Sequence, residues 1–224
     1  GALVGEDRVY DGVFKQFGAV RADDVEQMNA LITLHAAGRL PAGKNIGVIT
    51  ISGGGGVVVA DKCPDYGLEV VRLTETTQNS LREFFPPYGA VANPVDLTSA
   101  IFVDGALFQR AIRTVMEDPL VDMGAFFYNL QMPDLEAAEK IIDIYYSTDK
   151  PLVIFTWPTG QDYAVEAKEK MIRAGVPVVE HVPSGLWALS ALADWAGRSK
   201  DVPSFPSYSP GAEREQARKV VALS

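Results

Sequence analysis

Residues 45–59 read Asn-Ile-Gly-Val-Ile-Thr-Ile-Ser-Gly-Gly-Gly-Gly-Val-Val-Val (NIGVITISGGGGVVV). The first seven form a nearly continuous β-branched run, the pattern of a strand buried on both faces, as in a parallel sheet. Four glycines follow, Gly53, Gly54, Gly55 and Gly56, and then a helix-like segment over residues 57–67 that Pro64 ends or kinks early. At such a strand-to-helix joint the backbone can turn tightly, and a ligand can approach with no β-carbon in the way.

The same alternation continues outward. Further strands are predicted at residues 68–73 (LEVVRL), 122–130 (DMGAFFYNL), 151–157 (PLVIFTW) and 176–180 (VPVVE). Helices are expected between them: one capped by Thr74 and running to about residue 85, one capped by Asp104 and running to about residue 117, and others over 134–146 and 163–174. A last apolar helix, residues 184–195, is one that Ser184 can cap. Strands alternating with helices specify a parallel sheet covered on both faces. The count and lengths favour an α/β, flavodoxin-like, doubly wound parallel five-stranded sheet of order 2-1-3-4-5 over a six-stranded dinucleotide-binding fold.

Ahead of the sheet, Val9, Tyr10, Val13, Phe14 and Phe17 share one face of a helix that Gly18 can stop. Asp23 or Asp24 can cap a second helix, along which Val25, Met28, Leu31, Ile32 and His35 cluster. The chain therefore divides into an N-terminal helical extension (1–43), the flavodoxin-like domain (44–200) and a Pro- and Ser-rich tail (201–224) expected to lead toward a further domain. It opens at Gly1 without Met, which reads as a piece of something longer.

Among 224 residues, 47% are hydrophobic and 22% charged, enough apolar material for a full core without a disulfide or metal staple. A formal net charge of -9 repels a nucleic-acid backbone, and no basic stripe offsets it. No run of about 18 apolar residues suggests a membrane span. The lone Cys63 allows no internal disulfide, and its plain role is a small buried apolar side chain; the cytoplasm is the expected compartment. With one Cys and two distant histidines, His35 and His181, no metal site is expected. His35 is read as structural, and His181 as ending the fifth strand at the ligand-binding edge.

In open parallel sheets ligands collect beyond the carboxyl ends of the strands, where the strand order reverses. The loops beside that crevice are residues 52–56 and 129–133 (Asn129 to Pro133), and residues 93–98 (Asn-Pro-Val-Asp-Leu-Thr) can fold over the same edge. Ser52 and the amides of Gly53, Gly54, Gly55 and Gly56 are the candidate anion-binding group, because a helix start offers unpaired N–H groups and the positive end of its dipole. The plainer alternative is a glycine run needed only for close helix–sheet packing. Asn93, Pro94 and Asp96 form the supporting loop, with Asp96 the best-placed carboxylate; the alternative there is a turn in which Asn93 and Asp96 bond local backbone N–H groups. Sharper templates do not match. No Gly-Lys-Ser/Thr of a P-loop occurs, Val58 stands where a dinucleotide fingerprint needs a third glycine, and Thr50 stands where a nucleophile elbow needs glycine. A free-standing flavin or nucleotide binder lacks its hydroxyl-rich or lysine-bearing loop.

Three stretches, GALVGEDRVYDGVFKQFGAVRADD, VITISGGGGVVVADKCPDYGLEV and ANPVDLTS, resemble the nucleoside-diphosphate-forming acyl-CoA synthetases, relatives of succinyl-CoA ligase that include the ADP-forming acetate–CoA ligases. The resemblance implies the second succinyl-CoA-ligase-like flavodoxin domain of an enzyme that interconverts acyl-CoA, NDP and phosphate with acid, CoA and NTP. It implies an acyl phosphate, and then a phosphohistidine on a mobile loop in a Ser-His-Thr-Gly-Ala-Leu stretch. Gly1, Ala2 and Leu3 match the end of that stretch, which places the histidine just upstream and leaves no catalytic residue in the chain. The glycine loop would be one of two opposed helix N-termini holding the phosphohistidine's phosphate. The family loop more often reads Ser-Gly-Gly-Ala-Gly, so Gly55 for Ala is expected to loosen it. The implied partners are an upstream CoA-binding domain and a downstream or separate-subunit ATP-grasp domain. CoA, and ATP or ADP with Mg, are expected in the full enzyme but not on this domain, and a homo-oligomer is compatible. A non-catalytic acyl-CoA- or anion-sensing module, or a protein-acetyltransferase scaffold, shares the layout.

Overall fold

A computed structural model describes residues 6–87, 89–97, 107–128, 135–158 and 162–198, without the side chains of Asp162 and Tyr163. The sheet is built from β1 (Asn45–Thr50), β2 (Glu69–Val70), β3 (Val95–Asp96), β4 (Met123–Phe127), β5 (Leu152–Phe155) and β6 (Val178–Val179). Its order is β2-β1-β4-β5-β6, all parallel, with β3 also paired to β1. The predicted five-strand order is thus present. The sixth strand, β3, lies inside the supporting loop read from the sequence as irregular. Two residues carry too little periodicity to register as a strand.

Helices α1 (Asp7–Phe17), α2 (Val25–Ala36), α3 (Gly53–Lys62), α4 (Glu75–Arg82), α5 (Leu107–Met116), α6 (Leu135–Tyr146), α7 (Asp162–Arg173) and α8 (Val182–Arg198) complete the fold. Strand alternation sends successive side chains to opposite faces. Ile46 and Val48 of β1, Phe127 of β4, and Val153 and Phe155 of β5 join a core with residues of α2, α3 and α8. Ile49, Phe126 and Ile154 point the other way, into a larger core with α4, α5, α6 and α7. Both faces are therefore covered, and this is why β4 is buried along its whole length and β1 along all but its first residue.

The N-terminal helices form where their apolar spacing and caps predict, but much of the apolar spacing lies on the surface. Asp24 caps α2 by accepting a hydrogen bond from Gln27 N–H, and Gly18 ends α1 in the left-handed conformation at φ 67°. Yet Val9, Tyr10, Val13 and Phe17 of α1 are exposed, as are Val25, Met28 and Ile32 of α2. It is Ala30 and Leu34 that α2 buries, against the core shared with α8, while His35 sits at the exposed edge with its ring against Trp195. No helix among the described residues is long and apolar enough to cross a membrane.

Candidate anion site at the start of α3

Helix α3 begins directly after β1, at the carboxyl edge of the sheet, and β1 lies between β2 and β4, where the strand order reverses. Its first turn is nearly all glycine, with Ser52 at the N-cap. Ser52 makes no side-chain capping bond. Its backbone is held by the buried Thr50 instead: Ser52 N–H donates to Thr50 Oγ1 at 2.9 Å, and the Thr50 hydroxyl donates to Ser52 O at 2.6 Å. Gly56 N–H makes the first intrahelical bond, to Ser52 O at 3.0 Å. The N–H groups of Gly53, Gly54 and Gly55 find no acceptor among the described residues. An α-helix always leaves such donors at its start, and side chains, water or a ligand must satisfy them.

The four glycines have separate reasons. A β-carbon on Gly55 would fall 2.5 Å from Phe127 Cε1, and one on Gly56 would fall 2.6 Å from Thr50 Cγ2. Both are buried, so this half of the run serves the close approach of α3 to the sheet. Gly53 and Gly54 are exposed. A β-carbon on Gly54 would meet nothing within 4 Å, and one on Gly53 would lie 3.2 Å from Asp96 Oδ2. The packing alternative read from the sequence holds for Gly55 and Gly56, and Gly54 has no such packing contact. The absent β-carbon of Gly55 leaves room for the Phe127 ring, which in turn packs edge-on against Trp157 at 5.0 Å between centroids.

The supporting loop comes to the same edge. Val95 and Asp96 pair with Ile49 and Thr50, and Leu97 N–H donates to Thr50 O at 2.8 Å. Pro94, joined to Asn93 by a cis peptide, packs toward Gly56, and Asp96 reaches the side of Gly53. The carboxylate puts negative charge beside Gly53, so the open approach for an anion is over Gly54. The alternative of a local turn is not how Asn93 bonds. Its carboxamide instead reaches across to Ile46, Val48 and Val71, on or beside β1 and β2.

Other residues singled out from the sequence do not join the site. His181 Nδ1 lies 2.7 Å from Ser184 Oγ within the first turn of α8. Cys63 is buried, its Sγ donates to Val59 O at 3.2 Å, and burial pushes its thiol up to about 12, which makes it inert rather than nucleophilic. No group of three or more His, Cys, Asp or Glu that could hold a metal occurs among the described residues. Residues 129–133, Thr98, Asp104, Gly1, Ala2, Leu3 and the tail 201–224 lie outside the described residues. The sequence reading missed Thr50 and Phe127, which shape the loop. Both sit at strand ends next to the glycines, but only their side-chain direction reveals the contact.

Comparison with known proteins converges on one family. Residues 46–144 match the Ligase-CoA domain. The chain is 33% identical over 202 residues to the alpha subunit of acetate–CoA ligase (ADP-forming) I of Pyrococcus furiosus, covering 88% of this chain and 42% of the relative. It is 29% identical to the alpha subunit of form II from the same organism, covering 88% and 43%. The chain thus spans less than half the length of these relatives. Among solved structures, a Pyrococcus horikoshii protein superposes with a TM-score of 0.77 at 30% identity, over 89% of this chain and 46% of the other. An acetyl-coenzyme A synthetase of Candidatus Korarchaeum cryptofilum, solved with phosphate and ADP, shares the fold with a TM-score of 0.77 at 24% identity, over 90% and 44%. Sequence motifs, strand order and these matches together show that the chain carries a Ligase-CoA domain similar to that of the alpha subunits of ADP-forming acetate–CoA ligases.

Proposed function

We propose that this domain holds the phosphoryl group in transit within an acid–CoA ligase, which interconverts acyl-CoA, NDP and phosphate with acid, CoA and NTP. The observation that carries the reading is the set of open amides at the start of α3, with clear space over Gly54. Gly53, Gly54 and Gly55 would donate N–H groups to phosphate oxygens, and the helix dipole adds a favourable field of about 0.3–1 kcal/mol, up to roughly 2 kcal/mol when partly buried. Thr50 and Phe127 keep those donors in place before the phosphate arrives, so little reorganisation accompanies its binding. Ser52, whose hydroxyl caps nothing in its own helix, is available as a further donor.

The domain does no covalent chemistry in this reading. The phosphate is carried by a histidine outside the chain, the CoA site belongs to an upstream domain, and ATP or ADP with Mg belongs to an ATP-grasp domain or subunit. The assembly works in the cytoplasm, and the chain by itself forms no acyl-CoA.

The test is Gly54→Leu in the full-length enzyme. The side chain has room within this domain, so the protein is expected to fold while phosphohistidine formation from NTP or from acyl-CoA and phosphate collapses. Phosphohistidine accumulating at the unmodified rate in the folded variant would overturn the assignment.

A further inference from the structure

One edge of β1 is shared between two short strands. At the lower end β2 pairs through Asn45↔Glu69 and Ile46↔Val70; at the upper end β3 pairs through Ile49↔Val95 and Thr50↔Asp96. Between these two ladders β1 faces a fork where neither strand reaches it. The fork lies in the interior of a sheet, where an unmade backbone hydrogen bond is costly.

The Asn93 side chain fills the fork. Its Oδ1 accepts from Val48 N–H at 2.8 Å, and its Nδ2 donates to Ile46 O and to Val71 O, each at 2.8 Å. One carboxamide thus does what a peptide unit of a continuous strand would do, and bonds both neighbours at once. No other side chain of this size offers one acceptor and two donors in a plane. An Asp carboxylate would face two carbonyl oxygens with no proton to give, and Ser would not span the gap.

Asn93 also sets the course of the chain beyond it. Pro94, Val95 and Asp96 are the next three residues, so the height at which the carboxamide is clamped sets the register of β3 on β1. That register brings Pro94 to Gly56, Asp96 to Gly53, and Leu97 N–H to the carbonyl of Thr50, the residue that holds Ser52.

We propose that Asn93 is a positioning residue for the anion loop: by clamping the fork between β2 and β3 it places Asp96 and Thr50 against the first turn of α3, and so sets where the open amides point. The proposal rests on the phosphate-holding function inferred above, and its test separates the two.

Two variants of the 224-residue chain, Asn93→Ser and Ile141→Val, are compared with wild type. Ile141, on α6, is buried on the face of the sheet away from α3, so its variant is a stability control. Thermal melts give each stability, and inorganic phosphate is titrated while the amide resonances of Gly53, Gly54, Gly55 and Gly56 are followed by NMR. Asn93→Ser is expected to move these resonances before any phosphate is added and to weaken phosphate binding about tenfold, as misplacement of prearranged groups does. Ile141→Val is expected to lose stability and leave both readouts at wild-type values. Glycine resonances and affinity unchanged in Asn93→Ser would overturn the proposal. If wild type itself shows no response to phosphate, the functional reading fails, and the phosphate-free glycine resonances alone decide whether Asn93 sets the loop. Should Asn93→Ser not fold, Asn93→Gln, which keeps the carboxamide on a longer stem, is judged by the same two readouts.

Discussion

Helices α3 and α4 start in opposite ways, although both follow a strand of the same sheet. At α4 the N-cap Thr74 accepts from Thr77 N–H through its hydroxyl, and the buried Asp118 accepts from both Thr74 N–H at 2.8 Å and Thr74 Oγ1 at 2.9 Å. The same carboxylate accepts from Leu120 N–H at 2.9 Å. At α3 the N-cap side chain makes no capping bond, and three amides await an acceptor. Both termini offer the same donors, so the difference lies in what the surrounding chain supplies. At α4 the Thr74 hydroxyl takes a first-turn amide and Asp118 holds Thr74 in place; the α3 start is built from residues too small to do the same. A stability-driven sequence would cap both. Leaving one bare makes sense if something from outside completes it.

The largest test of this contrast is Asp118→Ala. It strands part-buried donors at Thr74 and Leu120 and is expected to cost about 2 kcal/mol, read as a lowered denaturation midpoint, with no change in phosphate binding. Burial alone would raise the Asp118 pKa. Hydrogen bonds from Thr77, from the N–H groups of Leu120 and Thr74, and from the Thr74 hydroxyl outweigh it and hold the group below the ordinary carboxylate value. A depressed folded pKa means that its stabilisation is present above the unfolded carboxylate pKa and is lost as pH falls through the folded one. The gap between wild type and Asp118→Ala in denaturant titrations should therefore narrow on acidification; a gap that stays constant would show that the carboxylate's charge is not what holds Thr74 at the start of α4.

Gly55→Ala comes next. The added methyl meets the Phe127 ring, which is buried and backed by Trp157. Overpacking of this kind costs about 1–3 kcal/mol, offset in part by alanine's better helix propensity of roughly 1 kcal/mol. Combining it with Phe127→Leu should recover part of the loss, a coupling that a double-mutant cycle measures. Additive effects would mean that the packed half of the glycine run does not depend on the ring.

Thr74→Ala should cost about 1 kcal/mol, the usual worth of a cap. Ser52→Ala, the equivalent change at α3, should alter stability by less than about 0.5 kcal/mol because no capping bond is lost. Equal losses in thermal melts of the two variants would erase the contrast.

The smallest stability effect and the most telling functional one is Gly54→Ala. Its β-carbon meets nothing, so the melt should be unchanged or rise by up to about 1 kcal/mol. Phosphate binding should nonetheless fall, which a calorimetric titration of the same sample checks.

The amino-acid sequence by itself determined the fold class, the strand order and the position of the glycine joint. Those follow from local periodicity: the β-branched run at residues 45–51, the helical spacings between strands, and the Thr74 and Asp24 caps all act within a few residues along the chain. It also placed Asn93, Pro94 and Asp96 beside the joint. The division of labour within the glycine run was decided only in three dimensions. Four identical residues look alike in one dimension, and Gly55 differs from Gly54 solely because Phe127 arrives from β4 on one side while the other side is open. The bonds of Asn93 were equally hidden, since its partners Ile46, Val48 and Val71 lie more than twenty positions away and meet it only once β2 and β3 have divided the edge of β1 between them. The faces of α1 and α2 went the same way: apolar spacing marks a helix, but which stripe is buried depends on the neighbour it finds, and for α2 that neighbour is α8.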